Sequence, residues 1–129
     1  MPYQLVQNMA LKNILYIRGE YVYGNLENDL MSFGLGAQSI VVYRQVSCKF
    51  SSIVAKDIEK QESILVPVYS SRSAKIVSKN LCEFKGLITV IAISRAVADA
   101  WSGPQVHKIL CAQAPNSSAM LDAIASQLN

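Results

Sequence analysis

The stretch Leu87-Ile88-Thr89-Val90-Ile91-Ala92-Ile93, running directly into Ser94-Arg95-Ala96-Val97-Ala98, decides the fold. The first part carries no charge and no polar alternation, as a strand buried between two layers should. Ser94 is a natural helix cap, and Ala96, Val97, Ala100 and Trp101 continue at helical spacing until Gly103. A buried strand that passes at once into a helix is the repeating step of an α/β fold.

The same step recurs on both sides. Upstream, Ile14–Ile17 reads as a first strand, and Leu26, Leu30 and Phe33 as a helix closed by Gly34. Ser39–Val46 is a second strand. Ile53, Val54 and Ile58 lie on a helix opened by Ser51 or Ser52, and Ile64–Tyr69 is a third strand. Pro67 cannot donate to a sheet, so this strand is expected at an edge or beside a bulge. Ala74–Leu81 forms a helix capped by Ser71 or Ser73. Downstream, Val106–Cys111 is a fifth strand, and Asn116–Ser118 opens a last helix bearing Leu121, Ile124 and Leu128. Five β/α units in alternation predict a flavodoxin-like parallel sheet with helices on both faces, strand order 2-1-3-4-5.

Composition narrows the function classes. Hydrophobic residues make up 51% of the 129-residue chain and charged residues 16%, which argues for a packed core and against disorder. The net charge of +3 is spread without Lys/Arg clusters, unlike a nucleic-acid footprint. No apolar run approaches the roughly 20 residues needed to cross a bilayer, and no signal-peptide pattern opens the chain. A cytoplasmic protein is therefore expected, with Cys48, Cys82 and Cys111 as buried, reduced thiols. A single histidine, His107, gives no metal-ligand spacing and no triad. Phosphate-binding glycine loops, a receiver-type acidic cluster and a nucleophile elbow are all missing from the pattern.

What the pattern does contain is a strand-end edge suited to anions. The four arginines, Arg18, Arg44, Arg72 and Arg95, all fall at or near the carboxyl ends of expected strands. Ligands of open α/β sheets bind at that edge. A guanidinium matches the planar fork of a carboxylate. The same edge carries helix starts at Ser70-Ser71-Arg72-Ser73, Ser94-Arg95 and Asn116-Ser117-Ser118, whose backbone N–H groups favour anions. Ordinary capping and surface ion pairs are the plain alternative for each feature taken alone. Tyr43, beside Arg44, is placed either to donate a hydrogen bond or to pack at a strand end.

The order of these segments resembles the C-terminal half of the uroporphyrinogen-III synthase family over nearly the whole chain. The resemblance is carried by Ile14-Leu15-Tyr16-Ile17-Arg18-Gly19-Glu20, then Val41-Val42-Tyr43-Arg44-Gln45-Val46, then Tyr69-Ser70-Ser71-Arg72-Ser73-Ala74. Ile91-Ala92-Ile93-Ser94-Arg95-Ala96-Val97-Ala98 and Ala112-Gln113-Ala114-Pro115-Asn116-Ser117 complete it. The resemblance implies a cofactor-free, metal-free lyase of haem and tetrapyrrole biosynthesis. Its substrate is hydroxymethylbilane, a linear polycarboxylate that is closed with inversion of the last pyrrole ring and loss of water. It implies Tyr43 as the group that assists departure of the hydroxyl. Ser70, Ser71, Arg72, Ser94, Arg95, Ala96, Val97, Asn116 and Ser117 would line the substrate cleft, and Arg18 and Gly19, at the end of the first strand, are expected to bind the substrate as well. Some members carry a threonine pair where this chain has Ala96-Val97.

The resemblance also implies a division of the chain. Residues 1–46 match the end of one synthase domain, residues 47–50 a hinge or crossover, and residues 51–129 an (αβ)3α portion of the other. The N-terminal half of the family has no counterpart here. Two arrangements follow: the five strands close as one domain over 1–129, or two chains exchange segments as a homodimer. A third expectation is a separate partner carrying the N-terminal half. A polyanion- or tetrapyrrole-binding module without catalysis is the alternative function.

Overall fold

The computed structural model describes residues 13–128. Among them, strands and helices alternate throughout. They are β1 (Asn13–Gly19), α1 (Leu26–Ser32), β2 (Gly36–Tyr43), α2 (Ser52–Glu59), β3 (Ser63–Val68), α3 (Ser71–Asn80), β4 (Leu87–Ala92), α4 (Arg95–Asp99), β5 (Lys108–Cys111) and α5 (Ser117–Leu128). The five β/α units of the sequence pattern are therefore present, and every strand pairing is parallel.

The pairings form two sheets. β1 pairs with β2, and β3, β4 and β5 pair in that order. The neighbours expected from a 2-1-3-4-5 sheet are present except for β1 beside β3, so the described strands do not close as a single five-stranded sheet. The chain divides into two units between Ser47 and Cys48.

In the unit built on β1 and β2, α1 ends in a Schellman closure. Gly34 adopts φ +75°, its N–H donates to the Met31 carbonyl at 3.0 Å, and Leu35 N–H donates to the Leu30 carbonyl at 3.1 Å. That turn leads straight into β2. Burial along β1 alternates, with Ile14, Tyr16 and Arg18 half covered and Leu15 and Ile17 exposed. Register partners share a face of the sheet, and Ile17 lies opposite Ile40, itself exposed. Among the described residues, this unit thus has one largely apolar sheet face that is exposed. β2 ends at Tyr43, three residues before the boundary expected from its apolar run.

The other unit is centred on β4. Val90 and Ile91 point to opposite faces and both are fully buried. Ile88, Val90 and Ala92 join Val68, Ala74, Leu81, Val97 and Ala98 in one core cluster under α3 and α4. Ile91 and Met120 are also fully buried, and α5 packs on β4. β3 is an edge strand of this sheet, which accommodates Pro67 without breaking the register opposite β4. Asn80 ties down the start of the unit: Phe50 N–H donates to its Oδ1 at 3.0 Å, and its Nδ2 donates to the Ile76 carbonyl at 2.9 Å.

Two further expectations are corrected. Cys48, Cys82 and Cys111 are all exposed, because they lie in the segment before α2, just past α3, and at the last position of an edge strand. The cap of α3 is Ser70, one position earlier than expected. Its Oγ accepts the Ser73 N–H at 3.0 Å.

Candidate functional site

The site residues read from the sequence fall at strand ends in both units, and each group is described within its own unit. In the first, Arg18, Gly19 and Tyr43 come together where β1 and β2 finish. The register of the pair shifts there: Arg18 lies opposite Val41, but Gly19 lies opposite Tyr43. Val42 is the extra residue of a β-bulge, a device that bends a strand and re-aims the side chain that follows. Glu20 N–H closes the pair on the Tyr43 carbonyl at 2.9 Å.

The Tyr43 ring lies directly against Gly19. A Cβ built on Gly19 would stand 2.6 Å from Cε2 and Cζ of Tyr43 and 2.9 Å from its hydroxyl oxygen. Gly19 is buried, while Tyr43 keeps 57% of its surface exposed, so the ring is seated on one side and open on the other. Arg18 folds back on the turn after β1, and its Nη1 donates to the carbonyls of Gly19 at 3.1 Å and Glu20 at 3.3 Å. Arg44 Nε lies 3.9 Å from Glu20 Oε2, an exposed ion pair.

In the second unit, three successive strands each pass into a helix at the same edge of the sheet. β3 gives way to Ser70, Ser71 and Arg72; β4 to Ser94, Arg95, Ala96 and Val97; β5 to Asn116 and Ser117. Parallel pairing fixes these three turns side by side. The first two are joined by the Ser71 hydroxyl, which donates to the Ala96 carbonyl at 3.4 Å. Each turn is closed by a side-chain cap: Ser70 on Ser73 N–H, Ser94 on Val97 N–H at 3.4 Å, and Asn116 Oδ1 on Ala119 N–H at 2.9 Å. A helix start has four N–H groups without helical partners. One cap serves one of them, so capping and anion binding are compatible at the same turn.

Arg95 pairs with Asp99 at 3.0 Å, one helical turn away, with both side chains mostly exposed. Such a pair is worth at most about 1 kcal/mol and yields readily to a better-placed carboxylate. Ala96 is exposed and Val97 buried, so at these two positions only backbone groups are available to a polar ligand.

The chain matches the family profile described as uroporphyrinogen-III synthase HemD over residues 3–122. The chain belongs to the uroporphyrinogen-III synthase family. This family member is also similar to the crystal structure of uroporphyrinogen-III synthetase from Helicobacter pylori 26695, with a TM-score of 0.71 at 16% identity. The match covers 98% of this chain and 59% of that one, so the chain spans less than two thirds of the structure it resembles. No curated protein matches it.

Sequence reasoning missed three contributors. Glu20 has no task in the sequence pattern, yet its N–H ties the β1 turn to the end of β2 and its carboxylate pairs with Arg44 just beyond. The bulge at Val42 leaves no local mark, because it exists only in the register between two strands. Asn80 reads as an ordinary polar residue at a helix end, and its bonds to Phe50 and to Cys48 O, the latter at 3.4 Å, span some thirty positions of chain.

Proposed function

We propose that this family member works as a uroporphyrinogen-III synthase, closing hydroxymethylbilane to uroporphyrinogen III with inversion of the last ring and release of water. The observation that carries the reading is the family match across residues 3–122, which spans both strand-end clusters. Departure of the substrate's hydroxyl requires a proton at the leaving oxygen. Tyr43 Oη is the group proposed to supply that hydrogen bond, being a phenol held on one side and open on the other. Arg18, Arg72 and Arg95 are proposed to meet substrate carboxylates through their guanidinium groups, with Gly19 in the cleft wall beside Arg18. The turns at Ser70-Ser71, Ser94–Val97 and Asn116-Ser117 are proposed to hold carboxylates through N–H groups. The protein's share of the work is then mostly positioning, which supplies the entropy cost of bringing the ends of a linear chain together. A cytoplasmic place of action belongs to the same reading.

The apolar sheet face of the first unit supports a further part of this proposal. Parallel sheets are ordinarily covered on both faces. Leu15, Ile17, Ile40 and Val42 are between 48% and 62% exposed. We infer that this face is covered in the working enzyme by polypeptide equivalent to the part of the Helicobacter pylori chain that Met1–Asn129 does not match. Pairing of two copies of this chain is the competing occupant.

A coupled assay that generates fresh hydroxymethylbilane tests the activity. The type III isomer is expected when the chain is supplied with the remaining portion of the fold. Sedimentation separates the two occupants: a one-to-one complex with that portion is expected, and a tight homodimer that excludes it would contradict the assignment.

A further inference from the structure

Gly19 was read above as a residue of the cleft wall. We propose that Gly19 is in addition the positioning residue for Tyr43, acting with the bulge at Val42 to fix where the phenol points; this rests on the synthase reading, in which Tyr43 touches the substrate.

Three observations carry it. The bulge places Tyr43, rather than Val42, opposite Gly19. The ring then occupies the space where any other residue at position 19 would carry its Cβ, with Cε2 and Cζ 2.6 Å from that point. Real Cβ atoms do not sit so close to ring carbons, so the packing exists only because position 19 is glycine. Finally, the turn that presents Gly19 is itself held. Arg18 Nη1 donates to the carbonyls of Gly19 and Glu20, and Glu20 N–H donates to the Tyr43 carbonyl. Arg18 therefore has a task within the protein, holding this turn.

The conflict created by a methyl group at position 19 would fall on the outer end of a side chain that is 57% exposed. The ring can swing into solvent at little cost to the fold. The hydroxyl would be carried away from its position by a few ångströms, about the length of the contact it loses. A positioned proton donor contributes on the order of 10²- to 10⁴-fold to a rate, so displacement should reproduce much of the effect of removing the hydroxyl.

The experiment compares Gly19→Ala with Tyr43→Phe and adds the double variant Gly19→Ala/Tyr43→Phe. In the complete, active assembly, Gly19→Ala should lower kcat on the order of 10²-fold, with KM changed by less than a few-fold. The double variant should be no slower than the worse single one. A Gly19→Ala enzyme with wild-type kcat would overturn the proposal, as would fully multiplicative losses. A second readout is independent of turnover. With 3-fluorotyrosine placed at position 43 alone, the ¹⁹F resonance should shift on Gly19→Ala, and an unmoved resonance would overturn the seat even if the protein has no synthase activity. If Gly19→Ala folds poorly, the same change should be tolerated with Tyr43→Ala, which removes the ring it meets. Instability that persists there would place the conflict elsewhere and overturn the proposal.

Discussion

At the scale of single residues, Tyr43 is the side chain whose removal separates chemistry from packing most cleanly. Tyr43→Phe keeps the ring on Gly19 and deletes only the hydroxyl. Turnover should fall by about 10²-fold or more, while unfolding free energy stays within about 0.5 kcal/mol. Initial rates and urea titrations of the same preparation check both halves, and an unchanged rate would remove Tyr43 from the mechanism. The position of Tyr43 was legible because it closes an apolar run beside Arg44. Its orientation was not, because that depends on a register shift between strands about twenty-five residues apart. The cysteines show the opposite error. Composition favoured burial of Cys48, Cys82 and Cys111, but each sits at an element boundary, where solvent reaches it.

At the scale of elements, the caps at the strand-end edge, and a close approach between the end of α3 and the segment leading into β5, carry measurable stability. Ser70→Ala removes the acceptor for Ser73 N–H and should cost about 1 kcal/mol in chemical unfolding. A loss near zero would mean that water replaces the cap fully. Gly103→Ala should cost more, about 1–3 kcal/mol. Its Cβ would run into the Ser78 carbonyl, a backbone group that cannot swing aside as the Tyr43 ring can. Ser78 is fully buried and its Oγ accepts the Ser102 N–H at 3.4 Å, so little slack is available. Equal tolerance of Gly19→Ala and Gly103→Ala would contradict this contrast.

The elements themselves were largely readable. Leu87–Ala92 had to be a buried strand, and Gly34 had to end a helix. Boundaries were less so. β2 begins at Gly36, which has poor strand propensity but lies opposite Asn13 in the ladder, and pairing there overrides local preference. The capping position was missed at α3 because Ser70, Ser71 and Ser73 are chemically equivalent caps. Only the extended backbone of Ser70, at φ −149° and ψ 152°, distinguishes it.

At the scale of the whole chain, strand order could not be read from patterns alone. A single sheet and two partial sheets share most of their strand neighbours and differ at the pairing of β1 with β3, which no local motif encodes. What was legible in the candidate site follows the same limit: the residues at each strand end could be named, but not the contacts that orient them. The exposed face of β1 and β2 gives a prediction at this scale. If the proposed covering polypeptide seats here, Ile17→Ser with Ile40→Ser should weaken its binding by about 10²-fold or more, since two apolar side chains lose burial worth roughly 1.5–3 kcal/mol each. Titration calorimetry measures this, and undiminished affinity would mean that the face is not the interface.

The proposed synthase activity is read out by the isomer composition of the product formed from fresh hydroxymethylbilane. With the remaining portion of the fold present, the chain should direct the product to the type III isomer, and Tyr43→Phe should shift it toward the spontaneous type I. Type I alone, with wild-type chain in a correctly assembled complex, would contradict the account.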